Sequence, residues 1–181
     1  LGTAISVASD MTGGIIDRFR TMAISRAAVL TGQPGPGPRV LGAESFLFPQ
    51  SLDAMGFDLR ETGFHIVLAR EVPDLIRSRI RELVTGFLGR NQLRQEDIAA
   101  WVLHPGGQKL LSYVEQELGL APEQTRPSWE VLRDYGNLSS ASVLFVLEQW
   151  MREQRVEPGA FGLLAGFGPG FSAEMVLLRW Q

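Results

Sequence analysis

The chain carries two histidines, two asparagines and no cysteine in 181 residues, so few side chains are open to chemistry. His104 follows the apolar run Ala99-Ala100-Trp101-Val102-Leu103 and precedes Pro105-Gly106-Gly107. That puts an imidazole at the carboxyl end of a buried strand, where loops of α/β sheets converge on ligands. The two glycines leave backbone amides open and let a ligand come close. The competing reading is a structural histidine that caps the next helix. Asn137 lies in Gly136-Asn137-Leu138-Ser139-Ser140-Ala141-Ser142, at the entrance to an apolar helix. An amide held there can donate to a developing oxyanion, or it can serve as an ordinary helix cap. Gly166-Phe167-Gly168-Pro169-Gly170 lacks the lysine and Ser/Thr of a phosphate loop and departs from the dinucleotide pattern, so alone it is a tight loop between strands. His65 reads as structural, Arg77, Arg79 and Arg81 as a solvated helix face, and the four tryptophans as core or interface.

These residues need elements to position them. Residues 24–31 and 39–48 read as strands around the proline- and glycine-rich connection 32–38, and 63–70 as a further short strand. Pro73 suits a helix start with Asp74 in its first turn. Leu75, Ile76, Ile80, Leu83, Val84, Phe87 and Leu88 form the inner stripe of that helix. Residues 99–103 read as a strand and 107–118 as a helix stopped by Gly119. A short helix is expected at 128–134, and a buried one at about 139–153. Two last strands, 160–166 and 172–180, flank the glycine-rich loop. Strands alternating with helices indicate a layered α/β domain.

Composition narrows the function. Hydrophobic residues make up 45% and charged residues 20%, the balance of a globular domain. A net charge of −3 argues against binding led by nucleic-acid phosphates. Without cysteine this chain supplies no disulfide, thiolate metal site or cysteine nucleophile, and two histidines make a histidine-rich metal site implausible. No apolar run approaches the roughly 18 residues of a membrane span, and the N-terminus lacks the charged-then-apolar layout of a secretory signal. The expectation is a soluble, cytoplasmic protein with no membrane or nucleic-acid partner. The sequence opens at Leu1 instead of a methionine, which fits a fragment or a processed product.

Taken together, the segments resemble a known family. Trp101–Leu120 (WVLHPGGQKLLSYVEQELGL), Tyr135–Leu147 (YGNLSSASVLFVL) and Gly166–Arg179 (GFGPGFSAEMVLLR) are similar to the C-terminal half of the chalcone synthases, the type III polyketide synthases. SLDAMGFDL and FHIVLAREVP, within Glu44–Pro73, resemble bacterial members. The resemblance implies a thiolase-like half-domain over residues 25–181, a mixed β-sheet covered by helices, with 1–24 a divergent segment. It further implies decarboxylative condensation of malonyl-CoA with an acyl-CoA starter, His104 and Asn137 being the catalytic pair. By the same match Gly106, Gly107, Gln108 and Ser139 lie along coenzyme A or the cavity, and Gly168, Pro169 and Gly170 shape the cavity wall. Coenzyme A thioesters are then substrates, with no covalently bound cofactor and no metal. Lys109 suits a coenzyme A phosphate on charge alone.

The chain departs from the pattern in two places. The family's nucleophilic cysteine belongs to an N-terminal half, and Ile24-Ser25-Arg26 stands where a Gly-Asp-Gly turn is usual. The expected partner is therefore a cysteine-bearing N-terminal half, the complete enzyme being a homodimer, and the chain alone is expected to be incompetent. The alternatives are a non-catalytic remnant or coenzyme A-binding module of the same fold, or a relative of the ketoacyl-acyl carrier protein synthases. The last carry HQAN where this chain has HPGG.

Overall fold

The computed structural model describes residues 37–51, 53–153, 156–169 and 171–181. The strand expected at 24–31, the segment 1–24 and Gly170 lie outside them. The described chain forms a four-stranded mixed sheet in which β1 (Arg39–Leu47), β6 (Ser172–Arg179), β5 (Phe161–Gly168) and β4 (Ile98–Leu103) lie side by side in that order. β4 and β5 run parallel, while β6 is antiparallel to both β5 and β1. A separate hairpin joins β2 (Met55–Arg60) to β3 (Gly63–Leu68).

The strand pleat sends alternate residues to opposite faces, and each face has its own helical cover. Trp101 and Leu103 of β4 join Leu163, Ala165, Met175 and Leu177 in a core with α1 (Val72–Arg90) and α2 (Gln108–Leu118). Ala100 and Val102 point the other way, onto Val131 of α3 (Pro122–Tyr135) and Val146, Leu147 and Trp150 of α4 (Ser142–Glu153). The result is a sheet between two helical layers, as the alternation of strands and helices implied.

α1 and α2 match their sequence signals. Pro73 and Asp74 open α1, and every member of its inner stripe except Leu75, which is half-buried, is buried. α2 ends where Gly119 turns left-handed at φ 62°, and Leu120 N–H returns to the Glu115 carbonyl at 3.0 Å.

Two expectations are corrected. The short helix expected at 128–134 begins at Pro122. Pro127 lies inside this helix, where it forfeits one helical amide. The first turns are held from outside, because Thr125 Oγ1 and Trp129 Nε1 both donate to the Glu115 carboxylate of α2. The helix expected from 139 starts at Ser142, after a 3₁₀ turn at Ser139–Ala141 in which Ser139 takes φ 58°. Ser142 Oγ accepts the Leu138 N–H at 2.7 Å, which ties the preceding turn to the first residue of α4. β2 has no counterpart among the expected elements.

Candidate active site

The motifs at 104–107, 136–142 and 166–169 meet at one end of the sheet. β4 and β5 are parallel, so their carboxyl ends share a rim, and His104 N–H donates to the Ala165 carbonyl at 2.8 Å just beyond the last strand pair. The His104 carbonyl accepts the Gly106 N–H at 2.9 Å. This closes a three-residue turn around Pro105, whose ring restricts φ as such a turn requires. One residue earlier, the Leu103 carbonyl accepts the Ser128 hydroxyl at 2.9 Å. The backbone that carries the imidazole is therefore bonded on every side.

His104 is only 7% exposed. Its neighbours in the pocket wall are Leu103, Leu110, Ala165 and Phe167, with Ile80 and Val84 of α1 behind. The void they enclose is about 10 Å³, room for a single water at most. Burial in these surroundings pushes the imidazole down to about 4. At neutral pH the ring is uncharged and offers one N–H and one acceptor nitrogen.

The glycines beside it differ in duty. A Cβ on Gly106 would lie 3.1 Å from Leu110 Cδ1 and 3.3 Å from His104 Cδ2, so the ring packs directly on this backbone. A Cβ on Gly107 would meet nothing within 4 Å, which leaves that position open to solvent. Gln108 and Lys109 are exposed in the first turn of α2. Lys109 pairs with Asp74 at 3.4 Å and stands 5.2 Å from the Tyr113 ring centre. Gly166 backs the histidine, since a Cβ there would touch His104 Cβ at 3.9 Å. Gly168 is half-buried and Pro169 exposed.

Asn137 joins this rim through the backbone. Its Nδ2 donates to the Gly106 carbonyl at 3.0 Å, and its Oδ1 accepts the Ser139 N–H at 2.9 Å. The second bond holds Ser139 in its left-handed conformation. Asn137 is exposed and does not contribute to the wall of the His104 void. The two residues singled out in the sequence are thus tied into one hydrogen-bonded chain, His104–Gly106–Asn137–Ser139, while facing different space.

Other residues fall where expected or were missed. Trp101, Trp150 and Trp180 are buried, and His65 shares a hydrogen bond with Thr62 on the exposed hairpin. Arg77 of the solvated arginine face pairs with Glu117 and stacks on Tyr113. Phe167 was read only as part of a loop, and Ser128 was not singled out at all. The alternation of β5, with Leu163, Ala165 and Phe167 on one face, carried the signal for Phe167.

The comparisons with known proteins follow this geometry. Residues 40–180 match the family described as chalcone and stilbene synthases, C-terminal domain. The 1,3,6,8-tetrahydroxynaphthalene synthase of Streptomyces peucetius subsp. caesius is 40% identical over 150 residues, 82% of this chain and 40% of that protein. The 3,5-dihydroxyphenylacetyl-CoA synthase of Amycolatopsis balhimycina is 38% identical over 156 residues, 84% of this chain and 42% of that protein. The crystal structure of the 1,3,6,8-tetrahydroxynaphthalene synthase from Streptomyces coelicolor A3(2), a bacterial type III polyketide synthase, superposes with a TM-score of 0.78. It shares 37% identity over 83% of this chain and 43% of its own. The chain thus spans about two fifths of the curated relatives it matches. With a thiolase-like α/β architecture and its motifs in family order, the chain belongs to the chalcone and stilbene synthase family, as a C-terminal domain of the type III polyketide synthases.

Proposed function

We propose that this chain supplies the oxyanion-stabilising half of a type III polyketide synthase, which condenses malonyl-CoA with an acyl-CoA starter. The nucleophilic thiolate comes from a cysteine-bearing half outside these residues, and the assembled enzyme is a homodimer. The observation that carries the reading is the bonded chain from His104 through Gly106 to Asn137. It holds two neutral N–H donors on a single rim.

The thiolate takes the starter acyl group from coenzyme A. Malonyl-CoA then breaks its bond to the carboxylate, releases carbon dioxide and leaves the electron pair on the thioester as an enolate. The enolate carbon attacks the acyl-enzyme thioester and expels the thiolate. By the family's pattern His104 and Asn137 donate to the thioester oxygen where the negative charge collects, which requires the assembled enzyme to open the His104 void toward the space that Asn137 faces. Asn137 has one N–H on the Gly106 carbonyl and a second to give. An uncharged imidazole is the right donor, since it offers its N–H without surrendering a proton to the enolate. Gly106, Gly107, Gln108 and Ser139 border the path of the coenzyme A arm, where the open position of Gly107 admits a ligand against the backbone. By the family's pattern Gly168 and Pro169 belong to the facing wall, and Gly170, which the resemblance adds to it, lies outside the described residues.

The second reading is a binding module or remnant without catalysis, favoured by the absence of cysteine and the small void beside His104. Co-expression with a cysteine-bearing N-terminal half separates the two. Under the catalytic reading His104→Gln and Asn137→Ala each lower condensation by about 10²–10³. Unchanged turnover in both variants refutes it.

A further inference from the structure

We infer that Ser128 is a positioning residue for His104, acting through the peptide unit between Leu103 and His104; the inference rests on the catalytic reading of His104. β4 is the outermost strand among the described residues, so its outward carbonyls have no strand to bond. Two side chains from the helical layer take them instead. Trp150 Nε1 donates to the Trp101 carbonyl at 3.1 Å, and Ser128 Oγ donates to the Leu103 carbonyl at 2.9 Å.

The second bond differs in kind because of where it falls. A peptide unit is planar, so its C=O and N–H turn together. The C=O of this unit is held by Ser128 of α3, and its N–H by Ala165 of β5 at 2.8 Å on the opposite side. The next unit is fixed by the Gly106 N–H on the His104 carbonyl. With both flanking planes bonded, the Cα–Cβ direction of His104 is determined by α3 as much as by the sheet. Gly106 packed against the ring then sets where the imidazole lies.

Ser128 is placed for this duty and for no other. It is fully buried in mid-helix, where alanine is the better helix former. Serine within a helix usually bonds its own preceding turn. Here the hydroxyl reaches 25 residues back to another element. A buried hydroxyl is unfavourable unless it is bonded, and the Leu103 carbonyl is the partner it has.

The test compares Ser128→Ala, Ser128→Thr and Trp150→Phe by isotope-edited NMR on the 181-residue chain. Ser128→Ala should move the Leu103 carbonyl signal and shift the His104 ring resonances. It should also speed His104 amide exchange by on the order of tenfold. Ser128→Thr should restore all three. Trp150→Phe should lower stability while leaving the His104 signals in place. Unmoved His104 signals in a folded Ser128→Ala chain overturn the inference, as does an equal response in Trp150→Phe. Should Ser128→Ala fail to fold, the Leu103 carbonyl shift in the native and Ser128→Thr chains decides, and a shift without a hydroxyl bond overturns it. In the complemented synthase, Ser128→Ala should lower kcat on the order of tenfold with KM for malonyl-CoA unchanged. If His104→Gln leaves kcat intact, the catalytic reading falls. If His104→Gln abolishes turnover and Ser128→Ala does not alter it, the positioning role alone falls.

Discussion

Acid should destabilise this chain through one side chain, and the effect can be isolated. An exposed histidine in the unfolded chain titrates near 6.5, whereas burial holds the folded His104 imidazole down to about 4. Between those values the unfolded state binds the extra proton, so stability falls as pH falls. The contribution is present above pH 6.5, is lost as pH falls through the window to pH 4, and levels off below it. Linkage puts the loss at about 2 kcal/mol by pH 5 and about 3 kcal/mol by pH 4. His104→Gln keeps a polar side chain of similar reach but cannot titrate. Urea unfolding of both chains between pH 7 and pH 4 therefore cancels the carboxylates common to the two. The native chain should lose about 3 kcal/mol more than the variant. Parallel loss in both would mean that the ring accepts a proton in place, and that its burial does not keep it neutral.

Three more outcomes follow from named contacts. A Cβ at Gly162 would lie 2.4 Å from the Trp180 ring and 3.2 Å from the Ala100 carbonyl, so Gly162→Ala should destabilise by about 1–3 kcal/mol in thermal melts. Gly106→Ala crowds the imidazole at 3.3 Å, with only the flexible end of Leu110 nearer. In the complemented synthase it should lower kcat by more than tenfold, while stability changes by less than about 1 kcal/mol. A cysteine-bearing half that sets a thiolate beside His104 should raise the imidazole pKa. NMR titration of the ring before and after complementation reads this directly, and an unmoved value would place the thiolate elsewhere.

The exposed hairpin bears on the same half-molecule reading. Ile66 is 75% exposed and Leu59 68%, on β3 and β2, and Leu68 is exposed as well. Under the proposed half-enzyme reading a second body covers this hairpin, and the isolated chain should self-associate as its concentration rises, which sedimentation checks. A strand buried against a core alternates apolar and polar residues. Met55, Phe57 and Leu59 alternate with Gly56, Asp58 and Arg60, so the period-2 signal of β2 is present in the sequence although the strand is half-buried to exposed.

The parts of the fold that were legible share a physical cause. β4, α1 and α2 bury a continuous face, so their apolar spacing and their glycine and proline boundaries had to appear in the residue types. Under the proposed function His104 and Asn137 were legible for a related reason: an N–H donor for an oxyanion must be a particular kind of side chain. What orients them was not legible, because the orienting partners are mostly backbone atoms. Asn137 bonds the Gly106 carbonyl and Ser128 the Leu103 carbonyl. Every residue has a carbonyl, so no choice of residue type marks the one that is used. The same logic accounts for α3, whose first turns depend on Thr125 and Trp129 reaching Glu115 on another helix. A proline seen in the sequence argues for a break, but the contacts that outweigh it exist only once α2 and α3 are packed. The catalytic types of such a half-domain can therefore persist in a sequence even where the supports have been lost, and Ser128 is the position at which that difference would first be felt.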